Sequence, residues 1–330
     1  MNIYGNSEPR RLVAQMIKKN REPHSIVIHG EKGLGKKTLA KWISAALLCE
    51  KQSGEPCGLC KSCRMIFDDC HPDVVTAKSN ANGNYIVDDS IRSIVSDAAV
   101  APSEGRMKVY IIPDLDMSVN TAVQTQNILL KLIEEPPEHT AIILTARSKE
   151  IFLSTIISRV LSLGVTSVSE AESTRCLTEK YPEVPPREIA ESVSAGRGNI
   201  GRCEEYLGKT AFRSGVLIAR ELCSAVVGNN EYAVLKALFA ADGKKAVLRE
   251  GVSLFAEIVR DSAVFRLGGD REKSVSCDRE GAKRLSETLS AERAVRLYDL
   301  LCEYVNRIDA NCNLSLTMNS LAGQICRIIG

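Results

Sequence analysis

The chain has 330 residues, 44% of them hydrophobic and 25% charged, and a formal net charge of +2. That length provides for two or three domains with real cores, and the near-neutral balance excludes a protein that coats nucleic acid non-specifically while allowing a local basic face. The N-terminus lacks an apolar signal core and no apolar run approaches the ~18 residues of a membrane span, so a cytoplasmic protein with no membrane contact is expected.

In chain order, Leu12, Val13, Met16 and Ile17 form one face of a first helix, with Ser7 as its N-cap and Pro9 in its first turn. The apolar run Ile26–Ile28 predicts a buried strand. It runs into Gly30-Glu-Lys-Gly-Leu-Gly-Lys-Lys-Thr38, and then into a helix whose apolar positions are Leu39, Trp42, Ile43, Ala46 and Leu47. A glycine-rich turn between strand and helix offers backbone N–H groups to phosphate, and Gly30, Gly33, Gly35 and Lys36 follow the P-loop pattern. Lys37 then stands where a Ser or Thr should ligate Mg²⁺, and Thr38 comes one residue late, about 100° around the helix. ATP or ADP binding is left in doubt, Mg²⁺ is disfavoured, and a purely structural turn stays open as a reading.

Cys49, Cys57, Cys60 and Cys63, with seven, two and two residues between them, predict a closed, structural four-sulfur Zn²⁺ site. Cys70 and His71 follow closely enough to compete, although His71-Pro72-Asp73 reads better as a turn into the next strand. The seven cysteines beyond Cys70 are expected to be small core hydrophobes. Further buried strands are predicted at Val74-Val75, Val109–Ile112, Ala141–Leu144 and Val160–Leu163, with helices at Ile91–Ala98 and Gln126–Ile133. Near-continuous apolar strands alternating with helices predict an α/β domain with a parallel sheet covered on both faces.

Beyond Val165 no strand is predicted. Ser169 and Glu172 form a capping box, Pro182, Pro185 and Pro186 break the chain, and a small helical unit reaches about Leu207. Helices are then predicted at Val216–Val227, Tyr232–Phe239, Val247–Leu267, Ala282–Leu289, Ala294–Ile308 and Leu314–Ile329, with Gly268-Gly269 and the charged stretch to Glu280 as a loop.

The P-loop helix ending in a four-cysteine module, His71-Pro72-Asp73, Asn127-Ile-Leu-Leu-Lys-Leu-Ile-Glu-Glu-Pro-Pro137, Ile143-Leu-Thr145 and Thr155-Ile-Ile-Ser-Arg159 together resemble the bacterial clamp-loader subunits of the AAA+ class. These are the gamma/tau and delta-prime subunits of the DNA polymerase III holoenzyme. The resemblance is dense over residues 1–165. It implies an AAA+ P-loop base over 1–165 with the zinc module inserted at 49–63, a small helical lid over 166–208, and a helical collar for oligomerisation over 209–330.

Within that family, ATPases hold magnesium with the P-loop hydroxyl and an acid after the neighbouring strand. Here those positions are Lys37 and Pro113, with Asp114 where the ATPases carry a catalytic Glu; Asp114 or Asp116 is conceivable as a displaced ligand. The resemblance therefore implies a delta-prime-type subunit with no intrinsic ATPase activity. Its partners would be the gamma/tau and delta subunits, with the sliding clamp and primed DNA reached through the assembled loader. It also implies that Arg159 acts as an arginine finger on a neighbour's ATP and that Thr145 occupies the sensor position; it brings Lys131 towards DNA and Arg202 towards nucleotide, with a solvated Lys131 and a structural Arg202 as the competing readings. The alternative is a divergent gamma/tau-type ATPase. A zinc ribbon gripping nucleic acid is disfavoured, because Glu50–Met65 mixes both charges and has no aromatic platform.

Overall fold

A computed structural model describes residues 3–78, 91–115, 119–270, 274–310 and 312–330, and of 119–124 the backbone only. The chain forms two compact units, residues 1–168 and 169–330.

The first unit follows from strands apolar on both faces. Its strands are β1 (Ser25–His29), β2 (Val74–Thr76), β3 (Lys108–Ile112), β4 (Thr140–Ala146) and β5 (Leu161–Gly164). All pair in parallel, in the order β2-β3-β4-β1-β5. Successive side chains leave a strand on opposite faces. Thus Ile26, Ile28, Val109, Ile111, Ala141 and Ile143 enter one core, while Val27, Tyr110, Ile112, Ile142 and Leu144 enter the other. The first face is covered by α1 (Ser7–Lys18), α2 (Lys36–Leu48) and α3 (Lys61–Phe67); the second by α4 (Arg92–Asp97), α5 (Val119–Glu134) and α6 (Ser154–Ile157). This is the expected α/β unit, a parallel sheet covered by helices on both faces.

The second unit is wholly helical among its described residues. It runs through α7 (Glu170–Lys180), α8 (Pro186–Gly196), α9 (Ile200–Leu207), α10 (Ala211–Val227), α11 (Glu231–Phe239), α12 (Lys245–Arg266), α13 (Arg279–Thr288), α14 (Ala291–Asp309) and α15 (Leu314–Ile329). The Ser169–Glu172 capping box is present, and Pro186 opens α8 after the predicted break. One large core joins α10 to α15 and takes in Ala195 of α8 and Tyr206 of α9. Leu177, Ile189, Val193 and Cys203 make a smaller one. Among the described residues no helix is long and apolar enough to cross a membrane.

Some expectations need correction. Ser7 is the first helical residue; the cap position is Asn6, in the left-handed region at φ 50°, which makes no side-chain capping bond. The short helix α3 escaped the periodicity reading, because its seven residues are too few for a repeat. Of the seven cysteines expected in cores, only Cys203, Cys223 and Cys277 are buried; Cys176, Cys302 and Cys326 are half-buried and Cys312 is exposed.

Candidate functional site

The P-loop forms at the C-terminal end of β1. Gly30 has φ 150°, and a Cβ there would sit 2.5 Å from Val165 Cγ2 and 2.7 Å from the Val165 carbonyl oxygen, so only glycine fits the turn. Strand pairing closes it from both sides: Gly30 N–H donates to Ala146 O and Val165 N–H to His29 O. The lysine that would meet phosphate is turned inward. Lys36 is buried, and its Nζ donates to Gly30 O at 2.7 Å and Glu31 O at 2.9 Å, two carbonyls of its own loop.

Lys37 takes a different path. Its Nζ lies 2.7 Å from Asp114 Oδ2, beyond the end of β3. Asp114 is itself fixed: it sits at φ 52°, a conformation Asp tolerates, and its N–H donates to Thr145 Oγ1 at 2.9 Å. Thr145 is fully buried on β4, so its hydroxyl accepts from Asp114 at the position the sequence marked as a sensor. A lysine ammonium therefore pairs with the carboxylate next to the P-loop, and Pro113 contributes no oxygen from its side chain. Thr38 is half-buried in the first turn of α2. Asp116, the other conceivable ligand, lies outside the described residues.

The four cysteines come together. Cys49 caps the end of α2 and Cys60 the start of α3, so two helix ends deliver ligands from either side of the 50–59 loop. The four Sγ atoms all lie within 4.8 Å of one another. A tetrahedral metal with bonds of about 2.3 Å needs sulfur–sulfur edges of about 3.8 Å, so the donor set fits one ion with little movement. Gly58, at φ 70°, supplies the left-handed turn between the ligands. The backbone already favours thiolates: Cys60 N–H donates to Cys57 Sγ and Cys63 N–H to Cys60 Sγ, each at 3.4 Å. Backbone N–H groups of Leu59 and Cys60 pull the Cys57 thiol down to about 6, whereas burial pushes Cys63 up. A bound cation reverses that rise, since a coordinating thiol gives up its proton.

Cys70 and His71 stay outside this cluster. The Cys70 thiol is exposed and bonds Met65 O, and His71 Nδ1 accepts from Asp73 N–H, making the turn read from the sequence. That turn aims Asp73, fully buried, at the backbone N–H groups of Ser103, Glu104 and Gly105 at 2.6, 2.8 and 2.6 Å.

Arg159 follows α6 and is exposed. Its Nη1 donates to Thr155 O and Ser158 Oγ, both at 3.0 Å, and its Nε lies 3.4 Å from Glu134 Oε1. A buried side chain missed by the sequence reading holds this segment. Gln126 of α5 donates through Nε2 to Ile151 O at 3.0 Å and accepts from Leu153 N–H at 2.7 Å through Oε1. Its position on the Leu129–Ile133 face of the helix was the available sign, a polar residue where the period demands an apolar one. Lys131 is exposed on the same helix. Arg202 is occupied within its own unit: its guanidinium lies over the Phe212 ring at 5.4 Å. That packing agrees with the structural reading of Arg202, one of the two that the sequence left open.

The profile of the family described as "DNA polymerase III, delta subunit" matches residues 5–169, half of the chain. The chain belongs to that family. Its relatives include the delta' subunit of Pseudomonas aeruginosa DNA polymerase III, 28% identical over 190 residues that make up 57% of this chain and 57% of that protein. The delta' subunit of Bacillus subtilis is 32% identical over 159 residues, 47% of this chain and 46% of that protein. The tau subunit of Escherichia coli is 25% identical over 256 residues, 74% of this chain and 39% of that protein. In none of the three does the match reach two thirds of the relative's own length.

Proposed function

We propose that this clamp-loader-related chain is a delta-prime-type subunit that does not hydrolyse ATP itself. In this reading it assembles with gamma/tau-type and delta-type subunits, helps to load a sliding clamp on primed DNA, and lends Arg159 to a neighbour's ATP. The observation that carries the reading is the Lys37–Asp114 ion pair at 2.7 Å. Magnesium needs oxygen ligands at both positions for phosphoryl transfer, and a fixed ammonium beside the remaining carboxylate opposes a second cation there. With Lys36 on its own loop carbonyls, the P-loop works as a structural turn at the mouth of the sheet. Arg159, exposed and carried by a segment anchored to α5, has the chemistry for stabilising phosphoryl charge in trans.

The same reading places one Zn²⁺ on Cys49, Cys57, Cys60 and Cys63. It would tie the end of α2 to the start of α3 as a closed structural site, with no chemistry of its own.

A gamma/tau-type ATPase is the second reading, and the longer match to the tau relative favours it. Steady-state ATPase assays separate the two. The isolated chain should give no turnover above background, and adding it to gamma/tau-type and delta-type subunits should raise their DNA-stimulated rate. Turnover by the isolated chain that Lys36→Ala abolishes would replace the first reading with the second.

A further inference from the structure

We propose that Glu134 is the positioning residue for Arg159, bracing the guanidinium by its Nε edge so that Nη2 stays available to a phosphoryl group on an adjoining chain. This rests on the arginine-finger reading above. Arg159 makes two contacts within its own turn, Nη1 with Thr155 O and with Ser158 Oγ. Those partners move with the arginine and cannot fix its place in the unit. Glu134 Oε1, 3.4 Å from Nε, is the contact that ties the side chain to a different element. Nη2 donates no hydrogen bond to a described residue, so its outer N–H, pointing away from the Nε edge, is left for the phosphoryl group.

The brace is itself anchored. Glu134 ends α5, which Pro136-Pro137 stops, and its neighbours Leu132 and Ile133 are buried in the core. Eight residues earlier on the same helix, Gln126 holds the backbone at Ile151 and Leu153 from which α6 and Arg159 extend. One helix thus fixes the finger at its root and at its guanidinium. Both Arg159 and Glu134 side chains are 44% exposed, so the pair adds little to stability. A long side chain that must meet a transition state gains in another way, by having fewer rotamers to lose and a smaller misplacement to correct.

The test is ATP hydrolysis in a loader reconstituted from full-length subunits with clamp and primed DNA. Wild type would be compared with Glu134→Gln, Glu134→Asp, Arg159→Ala and the Glu134→Gln/Arg159→Ala double variant. Glu134→Gln should lower kcat about twofold to fivefold, the range of one exposed ion pair. Half-saturating ATP, assembly and the melting temperature of the chain should be unchanged. Glu134→Asp should recover most of the loss, and Glu134→Gln should add nothing in the Arg159→Ala background. If Arg159→Ala collapses the rate while Glu134→Gln leaves it unchanged or raises it, the positioning role falls and the finger stands. If Arg159→Ala has no effect, both fall.

Discussion

Lys37 Nζ and Asp114 Oδ2, 2.7 Å apart, join the first turn of α2 to the end of β3 across the place where a P-loop protein would hold its metal. The pair is exposed enough, at 65% and 39%, that its own stability is worth no more than about 1 kcal/mol. In the proposed function its consequence is exclusion of a metal. One positive charge already faces the carboxylate, and Asp114 is held there by Thr145. Restoring both ligand types, with Lys37→Ser and Pro113→Asp together, should make nucleotide affinity magnesium-dependent. A rise of about tenfold on adding Mg²⁺ is a measurable threshold, equal to 1.4 kcal/mol. Titration calorimetry of the double variant and wild type, with and without Mg²⁺, checks this; wild type that already responds to Mg²⁺ would contradict it.

The cysteine cluster carries a second expectation. Metal analysis of the purified chain should give one zinc per chain, and replacing Cys60 and Cys63 by Ser should remove it. Both belong to the four-sulfur cluster, and Cys60 also caps α3, its Sγ accepting from Cys63 N–H; serine keeps that cap, so the double variant removes the metal donors and spares the helix start. Chelation should lower the melting temperature of wild type and leave that of the variant unmoved. A metal-free chain with the wild-type melting temperature would remove the zinc assignment.

How far the sequence reaches is visible in these two sites. The cysteines could be paired with one another from spacing alone, because a ligand set within fifteen residues is a local matter. The strands were legible because a two-faced parallel sheet writes apolar runs, and α15 was placed at its observed bounds by its apolar face. Lys37 and Asp114 could be flagged as misfits, but their pairing depends on β3 and β4 lying side by side with β1, which is set by the whole sheet. Gln126 and Glu134 were illegible for the same reason. Their partners come only after β4 in the chain, and a buried glutamine or a helix-end glutamate has many uses until the fold supplies the neighbour.

Asp73 should make stability depend on acid pH. Burial pushes its carboxyl up, but the N–H groups of Gly105, Ser103 and Glu104 outweigh this and hold it below the ordinary 3.8. A carboxyl held low in the folded chain stabilises above its unfolded value and loses that contribution as pH falls through its folded value. Asp73→Asn should therefore cost about 2–3 kcal/mol at pH 7, the range for hydrogen bonds to a charged group. The gap to wild type should narrow below about pH 4, where the unfolded carboxyl also takes a proton. Urea unfolding of both proteins at pH 7 and pH 3.5 checks the sign; a gap that widens in acid would contradict it.

Gln126 offers the sharpest separation of stability from local order. Its amide satisfies one backbone acceptor and one backbone donor, Ile151 O and Leu153 N–H, at the root of the Arg159 segment. Gln126→Leu keeps the volume and the apolar face of α5 but strands both groups, a loss of about 1–3 kcal/mol. Because the rest of α5 stays packed through Leu129, Leu132 and Ile133, the damage should concentrate at 151–159 and spare the sheet. Hydrogen exchange should show the Leu153 amide losing protection by far more than the amides of β1 and β4. Uniform loss across the unit would instead make Gln126 an ordinary core residue whose removal loosens everything at once.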